Sequence, residues 1–446
     1  MYTKYLTPEE LGISDNITNM AAFIYPILVM AFDSAFSAFY YQDGTDETKR
    51  KVFCTTSIFL RGTSIIAIML VLASSIISKF LFGSIEYTFA IGISLLSVAI
   101  NLWYLADSLL IRLENRMLEF SVINIIASLS MILLNIIFVS VLKLGYLSLI
   151  LSNLIVHIVQ FALYRIINKE KIRTMFFDKT LWKSMAKYAL PLLPVVVVNW
   201  ILSLSDRYIL LYYNMNVEIG LYSVAARFQN VLVVVTSAVY TAYSSFAFSS
   251  VNDKNAKEGY VKVLDGVSFI LLIICLVVSI FSKEIVCLMT DVQYHPSYKL
   301  IGPLLFGQVC YAVNTIVGYG FAYVKKTVYF FVPAFIGSIF NVILNLIFIP
   351  QYGAQAAAYT TLAGYFFMMM VTYILSQRVY YCQYHMKQIC FSLLASLIIY
   401  IVFKEIGWEF KIIVAVIGIA MLVILYRNII VEFRNYIKLR IEGRKK

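Results

Sequence analysis

The chain has 446 residues, 61% hydrophobic and 13% charged, with a mean hydropathy of +0.83. Soluble domains carry roughly 25% charged residues, so no stretch reads as one, and the polar runs at 42–52, 169–184 and 250–260 are loops. A net charge of +12 comes without a basic stripe interleaved with aromatics, which sets nucleic acid aside and fits basic loops facing an anionic leaflet.

Apolar segments follow one another near 17–41, 53–82, 86–111, 117–142, 145–168, 185–212, 217–248, 258–282, 299–323, 327–349, 353–376, 388–404 and 411–427. They read as about thirteen transmembrane helices, an all-α polytopic membrane protein. Lys and Arg gather in alternate connections: Lys49 to Lys51, Arg112 and Arg116, Lys169 to Lys183, Lys254 to Lys262, Lys325 and Lys326, Arg378 and Lys387, and the tail from Arg427. The other connections hold scattered lysines such as Lys79 and Lys143. The positive-inside rule therefore predicts a cytoplasmic C-terminus, and an odd number of spans leaves Met1 outside. No basic n-region precedes a short apolar core at the N-terminus, so no cleavable signal is read there. Cys54, Cys275, Cys287, Cys310, Cys382 and Cys390 show no CxxC or Cys/His spacing. They read as apolar fillers, with no metal site and no cofactor.

The two halves repeat. Leu134-Asn135-Ile136-Ile137-Phe138 before Gly145 parallels Leu344-Asn345-Leu346-Ile347-Phe348 before Gly353, and Glu10-Leu11-Gly12 parallels Glu218-Ile219-Gly220. Both pairs of glycines are separated by the same interval. Six spans lie between equivalent positions, so the repeat is parallel. The predicted domains are an N-terminal lobe (1–168), a cytoplasmic inter-lobe loop (169–184), a C-terminal lobe (185–380), and two further helices with a basic tail (381–446). The span at 185–212 has no counterpart before Glu10, so the N-terminal lobe is expected to lack its first helix.

Several segments resemble the Wzx-type polysaccharide flippases, of the superfamily that also holds MATE exporters and the MurJ lipid II flippase. Tyr5 to Gly12 looks like that family's exit from its first helix. Ala189-Leu190-Pro191-Leu192-Leu193-Pro194 with Ser205-Asp206-Arg207-Tyr208 looks like its seventh helix, and Gly220 to Ala225 with Arg227-Phe228 like its eighth. Lys325-Lys326-Thr327, Asn341 to Leu346 and Pro350 to Ala356 look like its tenth to twelfth. The resemblance implies two lobes around a central cleft, opening alternately to either side. The implied cargo is an undecaprenyl-diphosphate-linked oligosaccharide repeat unit for O-antigen, capsule or exopolysaccharide.

Ionisable residues inside spans are costly and mark cavities or partners. Asp33 and Arg61 lie at similar depth on adjacent helices and are expected to pair, either as a gate or as a structural lock. Asn199, Ser203 and Asp206 or Arg207 form one polar stripe, and Ser223, Arg227, Asn230, Ser237 and Thr241 another. Both stripes are expected to face the cleft. A guanidinium holds a phosphate bidentately and stays charged, so Arg207 and Arg227 are candidates for the diphosphate, with snorkelling and structural pairing as the alternatives. Asp107 and Asp265 are expected to be solvated, and His157 to make a helix–helix hydrogen bond. The absence of GxxxxGK[ST] argues against ATP hydrolysis by this chain.

The reading is a non-enzymatic flippase in the bacterial cytoplasmic membrane. Its expected partners are the polyprenyl-linked oligosaccharide, membrane lipid and the polymerase of the same assembly route. The alternatives are a MATE-like exporter of small molecules, which predicts a carboxylate-rich cleft, and a membrane polymerase or ligase, which predicts a larger external loop than the one around 283–298.

Overall fold

The structure, a computed structural model, describes residues 2–41, 45–169, 176–249, 256–323 and 328–432. Side chains at 238, 241, 242, 244–249, 322, 323 and 328 are outside that description. The basic residues predicted at Lys171, Arg173, Lys254, Lys325, Lys326 and in the tail from Arg434 therefore lie outside the described residues, as does the side chain of Thr241.

All regular structure among the described residues is helical. Eleven helices are long and apolar enough to cross a membrane, or twelve if one bent pair forms a single span. The bent pair is α1 (Pro8–Val29) and α2 (Phe32–Tyr40), which meet at 42°. Pro26 removes a donor within α1, and Met30 and Ala31 turn the chain at φ 52° and 57°. Thr7 and Glu10 close a capping box at the start of α1, which satisfies two N-terminal donors reciprocally.

The following helices are α3 (Asp46–Leu72), α4 (Ser74–Phe82), α5 (Thr88–Leu113), α6 (Met117–Ile136) and α7 (Leu147–Ile167). Next come α8 (Lys179–Ala189), α9 (Leu193–Tyr212), α10 (Asn216–Ser249), α11 (Ala256–Ile280), α12 (Ser282–Met289) and α13 (Tyr298–Tyr323). The last three are α14 (Val328–Val379), α15 (Met386–Phe403) and α16 (Trp408–Leu425). Helix α14 covers two of the predicted spans. Gly353 breaks it at φ 56°, ψ −138°, and its legs fold back on each other. A Cβ on Gly337 would lie 2.9 Å from Met368, Phe340 stacks on Phe367, and the Thr360 hydroxyl bonds the Asn345 amide oxygen.

The repeat covers α1 to α7. An offset of 208 carries α3 onto α11, α4 onto α12 and α7 onto the second leg of α14, and an offset of 210 carries α5 onto α13 and α6 onto the first leg of α14. The first half has two residues more than the second between the Leu-Asn motif and its glycine. There the chain forms a π-helical turn at Ile137–Val141 and a left-handed Lys143, a usual way of absorbing inserted residues in a helix.

The described chain divides into two compact units, Met1–Gly220 and Leu221–Lys446. Within the first, α5 is the central helix. Phe32, Phe36, Phe53, Leu60, Leu102 and Leu109 make one core around it, and Ile13, Ile17, Ile91, Leu95 and Ile150 another. The predicted loop at 169–184 is in part helix: Asp178 caps α8 by accepting from the Thr180 and Leu181 backbone N–H groups. Met185 and Ala189 of α8 are fully buried in the α2–α3 core. Helix α9 packs on α1, with Phe23 and Trp200 ring centroids 4.0 Å apart, so the compact boundary falls after Gly220 and not in 169–184. Within the second unit α13 is central and nearly all buried.

Candidate functional site

In the first unit, polar side chains converge where α3, α5 and α7 meet toward the C-terminal ends of α5 and α7. Asp107 is fully buried, not solvated as the sequence suggested, because α7 covers it. Asn168 donates to its carboxylate at 3.3 Å, and the Arg165 guanidinium lies 3.9 Å from its other oxygen. That separation is an ion pair but too long for a hydrogen bond. Arg165 is further held by the Trp103 carbonyl at 3.3 Å and by the Phe161 ring, 5.2 Å from its centroid. Trp103 in turn donates its indole N–H to Ser64 at 2.7 Å.

Arg61, one turn before Ser64 on α3, belongs to this group. The charges acting on it are those of Arg165 and Asp107, and its Nη2 is buried with no hydrogen-bond partner among the described residues. The expected Asp33–Arg61 ion pair is not formed. The bend at Met30–Ala31 starts a new helix, and Asp33 sits exposed in its first turn. Straight-helix spacing had placed the two at matching depth, and the bend undoes that register.

Tyr104 bonds both His157 Nδ1 at 2.8 Å and Gln160 Oε1 at 2.7 Å. Its single proton goes to the amide oxygen, so the imidazole Nδ1 donates to the phenol oxygen. His157 thus makes the expected helix–helix bond. The net result is a cluster of two half-buried guanidiniums against one buried carboxylate, suited to an anion. Sequence reasoning missed its composition because α5 and α7 are joined only by tertiary packing; it singled out Arg61 but paired it with Asp33.

Of the predicted stripe on α9, Ser203 donates to the Asn199 carbonyl at 2.8 Å and is exposed, while Asn199 is half-buried. Asp206 is buried and accepts the Arg207 backbone N–H at 2.8 Å. In the second unit, Arg227 is half-buried and Asn230 exposed on α10. Asp265 is buried as well, against the expectation that it is solvated, and accepts a 2.7 Å hydrogen bond from His385. Neutral pairs line the rest of that unit: Asn345 with Asn341 at 3.0 Å, Thr372 with Asn314 at 2.5 Å, and Gln229 with Gln308 at 3.4 Å. No group of three or more His, Cys, Asp or Glu among the described residues suits a metal ion.

Repeated helices with charge buried among them define a multi-span membrane protein of transporter fold. The chain belongs to the polysaccharide biosynthesis protein family, whose model (Polysacc_synt_3) matches residues 3–299. Its fold is similar to that of the lipid II flippase MurJ in an inward closed conformation, with TM-score 0.73 and 19% identity over 95% of this chain and 94% of that one. It is also similar to an inward-facing multidrug resistance MATE family transporter of the MOP superfamily, with TM-score 0.70 and 14% identity over 84% and 92%. The eukaryotic MATE transporter AtDTX14 follows at TM-score 0.58 and 12% identity over 87% and 96%. No curated protein matches the sequence.

Proposed function

We propose that the chain is a flippase for an undecaprenyl-diphosphate-linked oligosaccharide repeat unit, acting in the bacterial cytoplasmic membrane with its C-terminus in the cytoplasm. The observation that carries this reading is the net-positive cluster of half-buried Arg61 and Arg165 around buried Asp107 in a member of a polysaccharide biosynthesis family. A diphosphate is poorly solvated away from water and needs charge-assisted donors while it crosses. Arg61 supplies one. Arg207 and Arg227, flanked by Asn199, Ser203 and Asn230, supply further donors along the route, and Asp206 positions the Arg207 backbone. The chain performs no covalent chemistry, needs no cofactor, and hands its cargo to the polymerising enzymes of the route. A small-cation exporter calls for an excess of carboxylates, the reverse of this cluster.

The test is deletion of the gene followed by complementation. Deletion should abolish polymer export and accumulate lipid-linked units on the cytoplasmic side. Arg61→Lys keeps the charge and loses the planar fork, so it should restore part of the export, and Arg61→Ala little. Arg207 and Arg227 should behave alike. Normal export in the deletion strain would sink the proposal.

A further inference from the structure

Most exposed tyrosines of the described residues, among them Tyr5, Tyr41, Tyr212 and Tyr352, sit at helix ends or turns, where membrane interfaces accommodate phenols. Tyr240, inside α10, and Tyr311, inside α13, do not. Tyr311 is 37% exposed and lies about 18–20 Å from either end of α13 at 1.5 Å per residue. A phenol facing hydrocarbon at that depth would lose its hydrogen bonds to water, so this face of the second unit borders a polar path.

The surroundings of Tyr311 are aromatic, polar and uncharged. Its ring meets Tyr365 edge-on at 5.4 Å. One turn away Gln308 joins Gln229 at 3.4 Å and Thr236 at 3.3 Å. Two turns the other way, Tyr319 meets Tyr240 edge-on at 5.9 Å. Positions 308, 311, 315 and 319 share one helix face. No Lys, Arg, Asp or Glu occurs on α13 after Lys299, or on α10 after Arg227. The repeat makes the contrast explicit. Equivalent positions in the repeat replace Arg61 by Phe269, Asp107 by Val317 and Arg165 by Tyr373. Where the first unit holds a charged cluster, the second has apolar and aromatic groups.

We infer that the Tyr311 face is the subsite for the sugar rings of the cargo, an assignment that rests on the flippase reading and deepens it. The C–H face of a pyranose packs on the Tyr311 ring. Ring hydroxyls exchange hydrogen bonds with the exposed Tyr311 phenol. A neutral polyol is favoured here over a charged group because no counter-charge is present.

The experiment uses the purified full chain and two probes in native mass spectrometry. One is undecaprenyl diphosphate; the other is the sugar-bearing lipid extracted from a source strain blocked in polymerisation. The wild type should prefer the sugar-bearing lipid. Tyr311→Phe keeps the ring but loses the phenol, so it should retain most of that preference, while Tyr311→Leu and Tyr311→Ala should reduce it about five- to tenfold. Arg61→Ala should weaken both lipids alike. If Tyr311→Leu and Tyr311→Ala keep the wild-type ratio, the sugar subsite is refuted while the flippase reading stands. If the wild type holds neither lipid, the flippase reading fails and the subsite falls with it.

Discussion

Gly12 and Gly220 lie against each other's helix in a reciprocal contact. A Cβ on Gly12 would lie 2.2 Å from the Asn216 carbonyl oxygen, and one on Gly220 would lie 1.8 Å from the Pro8 carbonyl oxygen. Pro8 and Asn216 are themselves equivalent under the repeat, so each half presents the same glycine to the same point on the other's helix start. The glycines are there for close approach, since both helices are right-handed at these positions and need no unusual φ.

Alanine at either position therefore meets backbone, which cannot swing aside as a side chain would. Gly220→Ala should cost the upper part of the roughly 1–3 kcal/mol seen for overpacking, and Gly12→Ala a similar amount. Gly62 has nothing within 4 Å of its would-be Cβ, so Gly62→Ala should be neutral or stabilising by up to about 1 kcal/mol. Apparent melting temperatures in one detergent would check the three. Equal behaviour of all three would contradict the close approach.

Asp107 and Arg165 should couple. Removing Arg165 leaves a buried carboxylate with Asn168 and the Arg61 charge but no ion-pair contact, a loss of about 3 kcal/mol for a buried pair broken on one side. Asp107→Asn in the Arg165→Met background should recover part of it. Asp33 and Arg61, which do not meet, should give additive losses in the same kind of double-mutant cycle. Coupling between Asp33 and Arg61 would place the cluster's charges wrongly.

Lys411, fully buried at the start of α16, donates to both oxygens of Glu284 at 2.8 and 2.9 Å. Glu284→Ala should destabilise by roughly 2 kcal/mol, below the usual figure for a buried pair because the glutamate is partly exposed. Lys411→Met should be much milder, and the double variant should resemble Lys411→Met. A double variant as unstable as Glu284→Ala would mean the cost is packing and not a stranded ammonium.

Glu405 lies in the turn between α15 and α16, accepting from the Tyr298 phenol at 2.6 Å with Lys283 at 3.8 Å. The Tyr298 hydrogen bond, then the neighbouring lysines, hold its carboxyl below the ordinary range. A pKa depressed in the folded state contributes stability above the unfolded value, and that contribution is lost as pH falls through the folded one. Melting temperature should thus fall on acidification below the usual carboxylate range, and Glu405→Gln should flatten that limb. An unchanged acid limb in Glu405→Gln would assign the acid sensitivity to other groups.

The sequence by itself determined the membrane class, the all-helical fold and the repeat. Span length and apolar periodicity are local, and the Leu-Asn and Glu-Leu-Gly motifs carry their register in the chain. It also pointed to Arg61 as a costly in-span residue and to Asp107, which it read as solvated. What it did not determine was their partners. The turn at Met30–Ala31 separates Asp33 from Arg61, and the covering of α5 by α7 buries Asp107. The second depends on side chains 61 residues apart, Asp107 and Asn168, meeting across helix faces. Residues such as Asp33 and Arg61 share a depth in any sequence count, but only packing decides which faces turn toward each other. For the same reason Gly12 reads in the sequence as one more small residue, and only the backbone of Asn216 against it makes glycine necessary there.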